Sequence, residues 1–429
     1  VSFAIGVIIF VIGLLVSIAL HEVGHLVPAK LFGVKVPEYS VGFGRTLWST
    51  RRGDTEYGVK LLPLGGYVRL AGMYPPAAGA PERRANGQLT LAEEARRDTR
   101  ADLAPGEEHR AFSALSVPRK LVVMAGGPLM NLLIAAVLLT VMLVGIGTSF
   151  ATSTLAVVQP CVSSADCTAA DPASPAATAG FQPGDRVLTW GGTEVAAWTD
   201  ISTLIRDGGT APVDVVVSRA GQEVALTVVP VELERPVYDA NGKAVLQDGV
   251  PVTEALPYVG ISPASELRRQ SITAVPPLLV DVTAQTFGVI LHLPQQLWGV
   301  AQSLVTGEER DASVIGIVGV GRFAGEITSV ESDKYGIAAR AVDLMGLLVS
   351  LNIALFAFNV IPLPPLDGGH IAGALVEGAR RGWARVRGMT APRPVDMARL
   401  LPLTYGVVAV LVGMGVLLAL ADIVRPVTL

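Results

Sequence analysis

Histidine is rare in this chain, five residues in 429, yet two lie four apart in "ALHEVGHLV", Ala19–Val27, at the end of an apolar run without a charge. On a helix, His21 and His25 stand one turn apart on one face, so both imidazoles can reach one Zn²⁺. This is the spacing of H-E-x-x-H. Glu22, beside the first histidine, can act as a general base toward water that zinc acidifies to a pKa of about 7. The plain alternative is a histidine pair that only hydrogen-bonds at a helix end. Against it stands the cost of placing ionisable side chains at membrane depth, where they normally serve function.

A catalytic zinc usually takes three protein ligands and keeps one position open. The nearest carboxylate after His25 is Glu38, beyond Pro28, Gly33 and Pro37, too interrupted to continue the same helix. A better third ligand is Asp367 in "NVIPLPPLDGGH". There Asn359, Pro362, Pro364 and Pro365 prevent a regular helix, and such backbone is tolerated at membrane depth only when buried in protein or lining a wet cavity. Two glycines behind Asp367 let the backbone approach closely. His370, three residues on, is a weaker competitor for the ligand role.

The elements that must position these residues are membrane helices. The chain is 51% hydrophobic and 16% charged, with mean hydropathy +0.51, too apolar for a water-soluble protein of several domains. A span needs roughly 20 apolar residues. Four segments qualify: Val1–Leu20 running into the histidines, Leu121–Ile146, about Val342–Ile361 and about Leu401–Val424. The first run has no basic leader and ends in HEVGH rather than a small-residue cleavage site, so it reads as a span and not a signal peptide. Residues 276–300 are interrupted by Asp281, His292, Pro294, Gln295 and Gln296 and read as an amphipathic surface helix.

Charge by segment sets the orientation, because Lys and Arg gather in cytoplasmic loops. Leu26–Lys120 carries fifteen basic against ten acidic residues, and Arg380, Arg381, Arg385, Arg387, Arg393 and Arg399 face only Asp396. Ala151–Arg340 holds eleven basic and twenty-one acidic residues, which makes it the outer segment, with both termini outside. The ends of the first and third spans then meet at one, cytoplasmic, depth. That agreement brings Asp367 to the histidines without reference to the motif.

HEVGH in the first span and N-x-x-P-x-P-x-L-D-G after the third resemble the site-2 protease family of intramembrane zinc metalloproteases, in its bacterial RseP-type branch, with the Ala/Val/Arg-rich usage of an actinobacterial member. The resemblance runs over nearly the whole chain through "VGFG" (41–44), "GVKLLPLGGYVRLAGM" (58–73), "GGPLMN" (126–131) and "GFQPGDRVLTWGG" (180–192). It implies that His21, His25 and Asp367 bind zinc, that Glu22 is the catalytic base, and that Asn359 and Pro362 orient substrate. Enterobacterial members carry two PDZ domains in tandem, whereas one QPGD stands here.

A helix in a bilayer hides its peptide bonds behind its own hydrogen bonds, so an enzyme that cuts one must offer replacement partners. The stretch 58–73, broken by Pro63 and Gly65-Gly66, reads as a β-hairpin with an open edge that could take an extended substrate by strand addition. In the family the matching region is a membrane re-entrant β-loop. Gly65, Gly66 and Tyr67 are its substrate-binding candidates. Residues 151–263, with "VDVVVS", "EVALTVVP" and a helical "WTDISTLIRDGG", look like one PDZ domain, which binds peptides by strand addition. Cys161 and Cys167, the only cysteines, fall on the oxidising side and could close a small disulfide loop. Residues 75–110 carry no functional reading, and the Gly-rich 313–325 is too weak a phosphate cradle to argue.

The expected fold is a polytopic α-helical membrane protein with four transmembrane helices, a membrane re-entrant β-hairpin and one extracytoplasmic PDZ-like β domain. Its parts are the first helix with HExxH (1–26), a cytoplasmic-side region (27–120), a second helix (121–148), the PDZ-like domain (151–263), an amphipathic linker (264–340), a third helix with the LDG motif (341–370) and a fourth (401–425). The expected function is a zinc endopeptidase of the bacterial inner membrane cutting single-span membrane proteins. By resemblance these are anti-sigma factors of an envelope-stress pathway, first trimmed by an upstream site-1-type protease. Membrane lipids are its surroundings, and nothing points to nucleic acid. The competing expectations are a PDZ-bearing membrane scaffold without catalysis, and a transporter, which would need more intramembrane charge than Asp343 supplies.

Overall fold

A computed structural model describes residues 2–77, 79, 81–162, 167, 171–236, 246–247, 250–307, 314–330, 336–390 and 392–427. In chain order the first part comprises α1 (Ser2–Leu31), β1 (Glu38–Arg52), β2 (Thr55–Arg69), α2 (Leu91–Ala101) and α3 (Val117–Thr140), which runs on as a π-helical turn, Val141–Ile146. A separate unit, Gly147–Arg269, follows. It holds β3 (Thr148–Val158), α4 (Pro175–Ala179), β4 (Arg186–Trp190), β5 (Thr193–Glu194), α5 (Trp198–Gly208), β6 (Val213–Arg219), β7 (Gln222–Val228), β8 (Val231–Pro236), β9 (Leu246–Gln247), β10 (Val250–Pro251), β11 (Thr253–Tyr258) and β12 (Ile261–Arg268). The chain then rejoins the first unit with α6 (Val275–Thr306), α7 (Ile317–Ser329), α8 (Ile337–Val360), α9 (Asp367–Val386) and α10 (Leu401–Val424).

Among the described residues five helices are long and apolar enough to cross a membrane: Ser2–Leu31, Val117–Ile146, Ile272–Thr306, Ile337–Val360 and Met397–Val424. The four expected spans are among them. The fifth is the segment read from sequence as a surface helix. Its interruptions are mild, since Asp281 is its only Asp, Glu, Lys or Arg and Pro294 is carried inside the helix.

Three contacts between α1 and α8 fix their relative direction: Phe10 packs near Leu344, Gly13 faces Leu348, and Ser17 accepts a hydrogen bond from Asn352. The numbers rise together, so α8 runs parallel to α1. Contacts with α3 run the other way, from His21 to Asn131 and from Gly24 to Gly126. Asp422 near the end of α10 accepts from the N–H of Gly319 in α7, and α7 packs on the first turns of α1. The start of α1 and the ends of α3 and α10 therefore share one side of the bundle. Helix α6 has both ends there, Val275 against Leu139 and Leu143, and Val300 against Leu418 and Ala421.

In the sheet beneath α1, β1 and β2 turn at Gly53-Asp54. Residues 38–41 have partners on both flanks: Arg69 to Gly66 run antiparallel to them on one, and Glu56 to Val59 rise with them on the other. The chain therefore reverses between 59 and 66, in the stretch where the expected hairpin at 58–73 has Pro63 and Gly65-Gly66, with residues 38–41 lying between its two arms. Gly65, at φ +150°, lies against the Phe43 ring, where a Cβ would come within 2.7 Å. Towards its tip the sheet exposes Phe43, Leu47, Trp48, Leu61 and Leu62.

Segment 75–110, without a functional reading from sequence, is held by charge. Arg96 on α2 is 2% exposed and pairs with Glu93, Glu82 and Asp396, the last just before α10. Removing one member of a buried ion-pair cluster strands the others and costs about 3–5 kcal/mol. Arg96→Ala is therefore expected to release α2. Limited proteolysis should then cut within 82–102 well before the parent protein is cut; equal rates would show the cluster to be dispensable.

In the separate unit, a sheet runs in the order β12-β3-β4-β6-β7, with β5 paired to β4. Alternate residues of β6, Val215 and Val217, point inward, and a bulge in β4 between Val187 and Thr189 turns Val187 and Trp190 to the same face, so the four form a core with Leu155, Phe181 and Ile201. Fully burying one such side chain is worth about 1.5–3 kcal/mol. The unit begins and ends a few residues outside the expected 151–263. Arg219 grips Asp185 through two nitrogens, at 2.8 and 2.7 Å. Burial raises the Asp185 carboxyl, but that grip and the Gln182 N–H outweigh it and hold it below the usual range. Cys161 and Cys167 are joined as a disulfide; residues 163–166 between them lie outside the described residues, as does Ser313 of the Gly-rich segment.

Candidate metal centre

The last turns of α1 carry His21, Glu22 and His25, and what holds them in place is α3. Gly24 and Gly126 cross so closely that a Cβ on Gly24 would stand 2.3 Å from the Gly126 carbonyl oxygen, and one on Gly126 would stand 2.0 Å from that of Gly24. Gly127 faces the site itself: a Cβ there would lie 2.2 Å from His25 Nε2. Only glycine leaves room for the two helices and the imidazoles together.

That approach brings α3 within bonding range of both rings. His25 Nδ1 lies 2.8 Å from the Val123 carbonyl oxygen, so it carries the proton and donates. His21 Nδ1 lies 3.0 Å from the Asn131 side-chain amide. Asn131 is fully buried and its Oδ1 has no other partner; since amide oxygen and nitrogen are assigned from the hydrogen-bond network, the orientation with Oδ1 accepting from His21 Nδ1–H satisfies both groups. Each Nε2 is then left as a lone pair.

Asp367 reaches the same point from the other end of the chain. Helix α8 ends at Val360 and α9 begins at Asp367, with non-helical residues 361–366 between, as the prolines require. Gly368 and Gly369 fold back on that connection, where a Cβ would lie 2.2 Å from the Ile361 oxygen and 2.6 Å from the Pro364 nitrogen. Further along α9, Glu377 is buried against Lys120 of α3 at 3.0 Å and Arg381 at 2.7 Å. This ion pair docks α9 on α3 and so fixes where the helix starts.

Asp367 Oδ2 lies 3.4 Å from His21 Nε2 and 3.3 Å from His25 Nε2, and the two Nε2 atoms are 3.3 Å apart. A tetrahedral centre with bonds of about 2.0–2.1 Å has ligand–ligand edges of about 3.3–3.4 Å. Three unprotonated donor atoms facing one another at that spacing, with Oδ2 buried and lacking a hydrogen-bond donor, fit a divalent cation of the zinc type. Among the described residues this is the group of three or more His, Cys, Asp or Glu able to hold a metal. His370 is not part of it; its ring lines a neighbouring cavity of about 30 Å³ with Lys120 and Glu377.

Glu22, 9% exposed, sits beside the cluster and accepts from the Val68 N–H of β2. Gly66 packs directly against it, a Cβ there falling 2.9 Å from Glu22 Cγ. Residues 66–69 therefore pass along the site with residues 38–41 on one flank, and among the described strands none pairs on the other. Tyr67 turns its side chain away, donating to Glu38 at 2.6 Å and stacking on Phe43, so only its backbone faces a binding edge. Asn359 is half-buried in the last turn of α8 and Pro362 is exposed on the connection to Asp367; neither supplies a donor atom to the cluster.

Sequence reasoning did not find Asn131, Val123 or the Gly24/Gly126 crossing, though "GGPLMN" held the signal: an amide in an apolar helix is costly unless it has work to do. Metal-bound histidines commonly hold a partner on their second nitrogen, and its loss costs about 10–100-fold in metal affinity. Asn131→Ala is expected to lose zinc to a graded chelator at correspondingly lower concentration, with helix content unchanged. Retention equal to the parent protein would remove the role.

A family model described as peptidase family M50 matches residues 9–402. The zinc metalloprotease Rip1 of Mycobacterium tuberculosis is 33% identical over 100% of this chain and 99% of its own. The same-named protein of Mycolicibacterium smegmatis is 32% identical over 100% and 99%. Metalloprotease MmpA of Caulobacter vibrioides is 29% identical over 86% of each chain.

Proposed function

Because the chain belongs to peptidase family M50, and is thus a zinc metalloendopeptidase of the site-2 protease type, we propose that it cuts single-span membrane proteins inside the bilayer. His21, His25 and Asp367 hold the zinc and Glu22 is the base. The observation that carries this reading is the convergence of two Nε2 atoms and Oδ2 at mutual distances of 3.3–3.4 Å, next to Glu22. When bound, zinc supplies Lewis-acid chemistry, making water a nucleophile near neutral pH and stabilising charge on the scissile carbonyl. Glu22 takes the proton from the attacking water and returns it to the leaving amine. Val68 N–H orients the Glu22 carboxylate, and Asn131 and Val123 set which nitrogen of each ring is free.

The substrate must be unwound before it is cut. The unpaired flank of residues 66–69 offers main-chain groups to an extended segment beside Glu22, by strand addition. Asn359 and Pro362, on the connection that delivers Asp367, line the substrate's path. The exposed apolar tip of the β1–β2 sheet supports its reading as a membrane re-entrant element.

The protein lies in the bacterial inner membrane, multi-pass, with the HEVGH end of α1 toward the cytoplasm and the β unit outside. Loop charge supports this orientation, and the packing of both ends of α6 on one side supports four complete spans. The β unit is PDZ-like; its edge strand β12, following Gly260 at φ +88°, suits capture of a peptide end. The family resemblance supports anti-sigma factors as substrates in a stress response, after cutting by a site-1-type protease.

The test is the full chain reconstituted in vesicles with a model single-span substrate, assayed for zinc and for cleavage. Expected are zinc bound to the chain, and cleavage abolished by a chelator and restored by zinc. Cleavage that survives zinc removal, or a zinc-loaded chain that cuts no single-span substrate, would overturn the proposal.

A further inference from the structure

Beyond Glu377 the helix α9 has a face that the proteolytic reading does not use. Ala372, Leu375, Val376, Ala379, Trp383 and Val386 recur at helical spacing along one side, away from the buried Ala374, Glu377 and Ala384. Leu375 is 56% exposed, Val376 51%, Trp383 58% and Val386 86%. The outward side of this helix is thus its apolar side, the reverse of a helix bathed in water.

Arginines border the stripe. Arg380 and Arg387 flank it on one side, both exposed, and the Arg387 guanidinium lies 4.4 Å over the Trp383 ring; Arg385, also exposed, stands at the same level on the face behind. The acidic residue of this stretch, Glu377, is consumed by Lys120 and Arg381.

Depth follows from the neighbours of α9. Glu377 is level with Lys120, and Gly378 faces Val117, at the first turn of α3, where that span begins. Trp383 lies about 8–9 Å further along the axis at 1.5 Å per residue. Headgroup layers extend roughly 5–7 Å beyond the hydrocarbon on each side, which places Trp383 at the outer margin of one. Trp and Arg are the residues that settle at that level.

We propose that α9 presents its apolar stripe to the bilayer and that Arg380, Arg385 and Arg387 around Trp383 form a collar binding anionic lipid headgroups. The collar anchors, by way of one rigid helix, the depth at which Asp367 stands. This goes beyond the proteolytic reading and rests only on the reading that the long apolar helices cross a bilayer. Charge complementarity selects the occupant, since each arginine near an anionic surface is worth about fivefold in partition.

The test uses the full chain in nanodiscs of phosphatidylcholine, with or without phosphatidylglycerol, carrying one nitroxide at Val386→Cys or, as control, at Val410→Cys in the middle of α10. Cys161 and Cys167 are disulfide-bonded and escape the label. Collisions with oxygen report immersion in lipid; collisions with a nickel chelate report water. The 410 label is expected to be immersed in both lipids. The 386 label is expected to sit at headgroup depth and move deeper with phosphatidylglycerol, and that response is expected to vanish in a chain also bearing Arg380→Gln, Arg385→Gln and Arg387→Gln. A 386 label open to nickel in both lipids, or shielded from both reagents as by a second protein copy, overturns the proposal. A 410 label open to nickel overturns the membrane reading beneath it.

Discussion

Glu22→Gln is expected to abolish peptide hydrolysis while leaving zinc in place. The carboxylate and the amide have nearly the same shape, so the packing of Gly66 against the side chain is kept. What disappears is the group able to take a proton from water, and general-base catalysis is typically worth about 10²–10⁴-fold. A fall of at least about a hundredfold in turnover, at unchanged zinc content, is the expected result. It is read by metal analysis and substrate cleavage on one preparation. Turnover within a few fold of the parent protein would remove Glu22 from the chemistry.

Asp367→Asn is expected to act earlier, on the metal. The substitution keeps an oxygen within reach of both Nε2 atoms but removes the charge, and zinc prefers a deprotonated ligand. Buried beside two imidazoles, a neutral amide offers less to the cation at the same distance. Zinc content after purification should fall well below one per chain, and cleavage should return only at high added zinc. Because Glu22→Gln keeps the metal and Asp367→Asn loses it, the two variants separate base from ligand. A full complement of zinc in Asp367→Asn would move the third ligand elsewhere, with His370 next in line.

The convergence of His21, His25 and Asp367 was legible in the sequence to the extent that zinc chemistry demands fixed residue types at fixed spacing. His21 and His25 are set by the helical period. Asp367 was legible for a different reason: prolines break its helix at a depth where broken backbone must be buried. The supports were harder to see. Gly24, Gly126 and Gly127 matter because of what lies opposite them, and a single chain does not write down its tertiary neighbours. The β sheet was legible only in part for the same reason. Pro63 and the paired glycines mark a reversal of the chain, but nothing local to them shows that residues 38–41 lie between its two arms. Helix α6 has the length and composition of a span, yet both its ends pack on one side of the bundle, a relation that lies in tertiary contacts and not in its own residues. Segment 75–110 gave no reading because Arg96 draws one of its partners, Asp396, from three hundred residues away.

The donor atoms come from positions 21, 25 and 367, so a ribosome must add 342 residues between the second and the third. At about 5–20 residues per second that interval lasts roughly 17–70 s. Throughout it the nascent chain owns two imidazoles and the Glu22 carboxylate but lacks the third group of the proposed zinc site. On the proposed reading, a protease threaded into the same bilayer as every other newborn membrane protein is disarmed until residue 367 has been made.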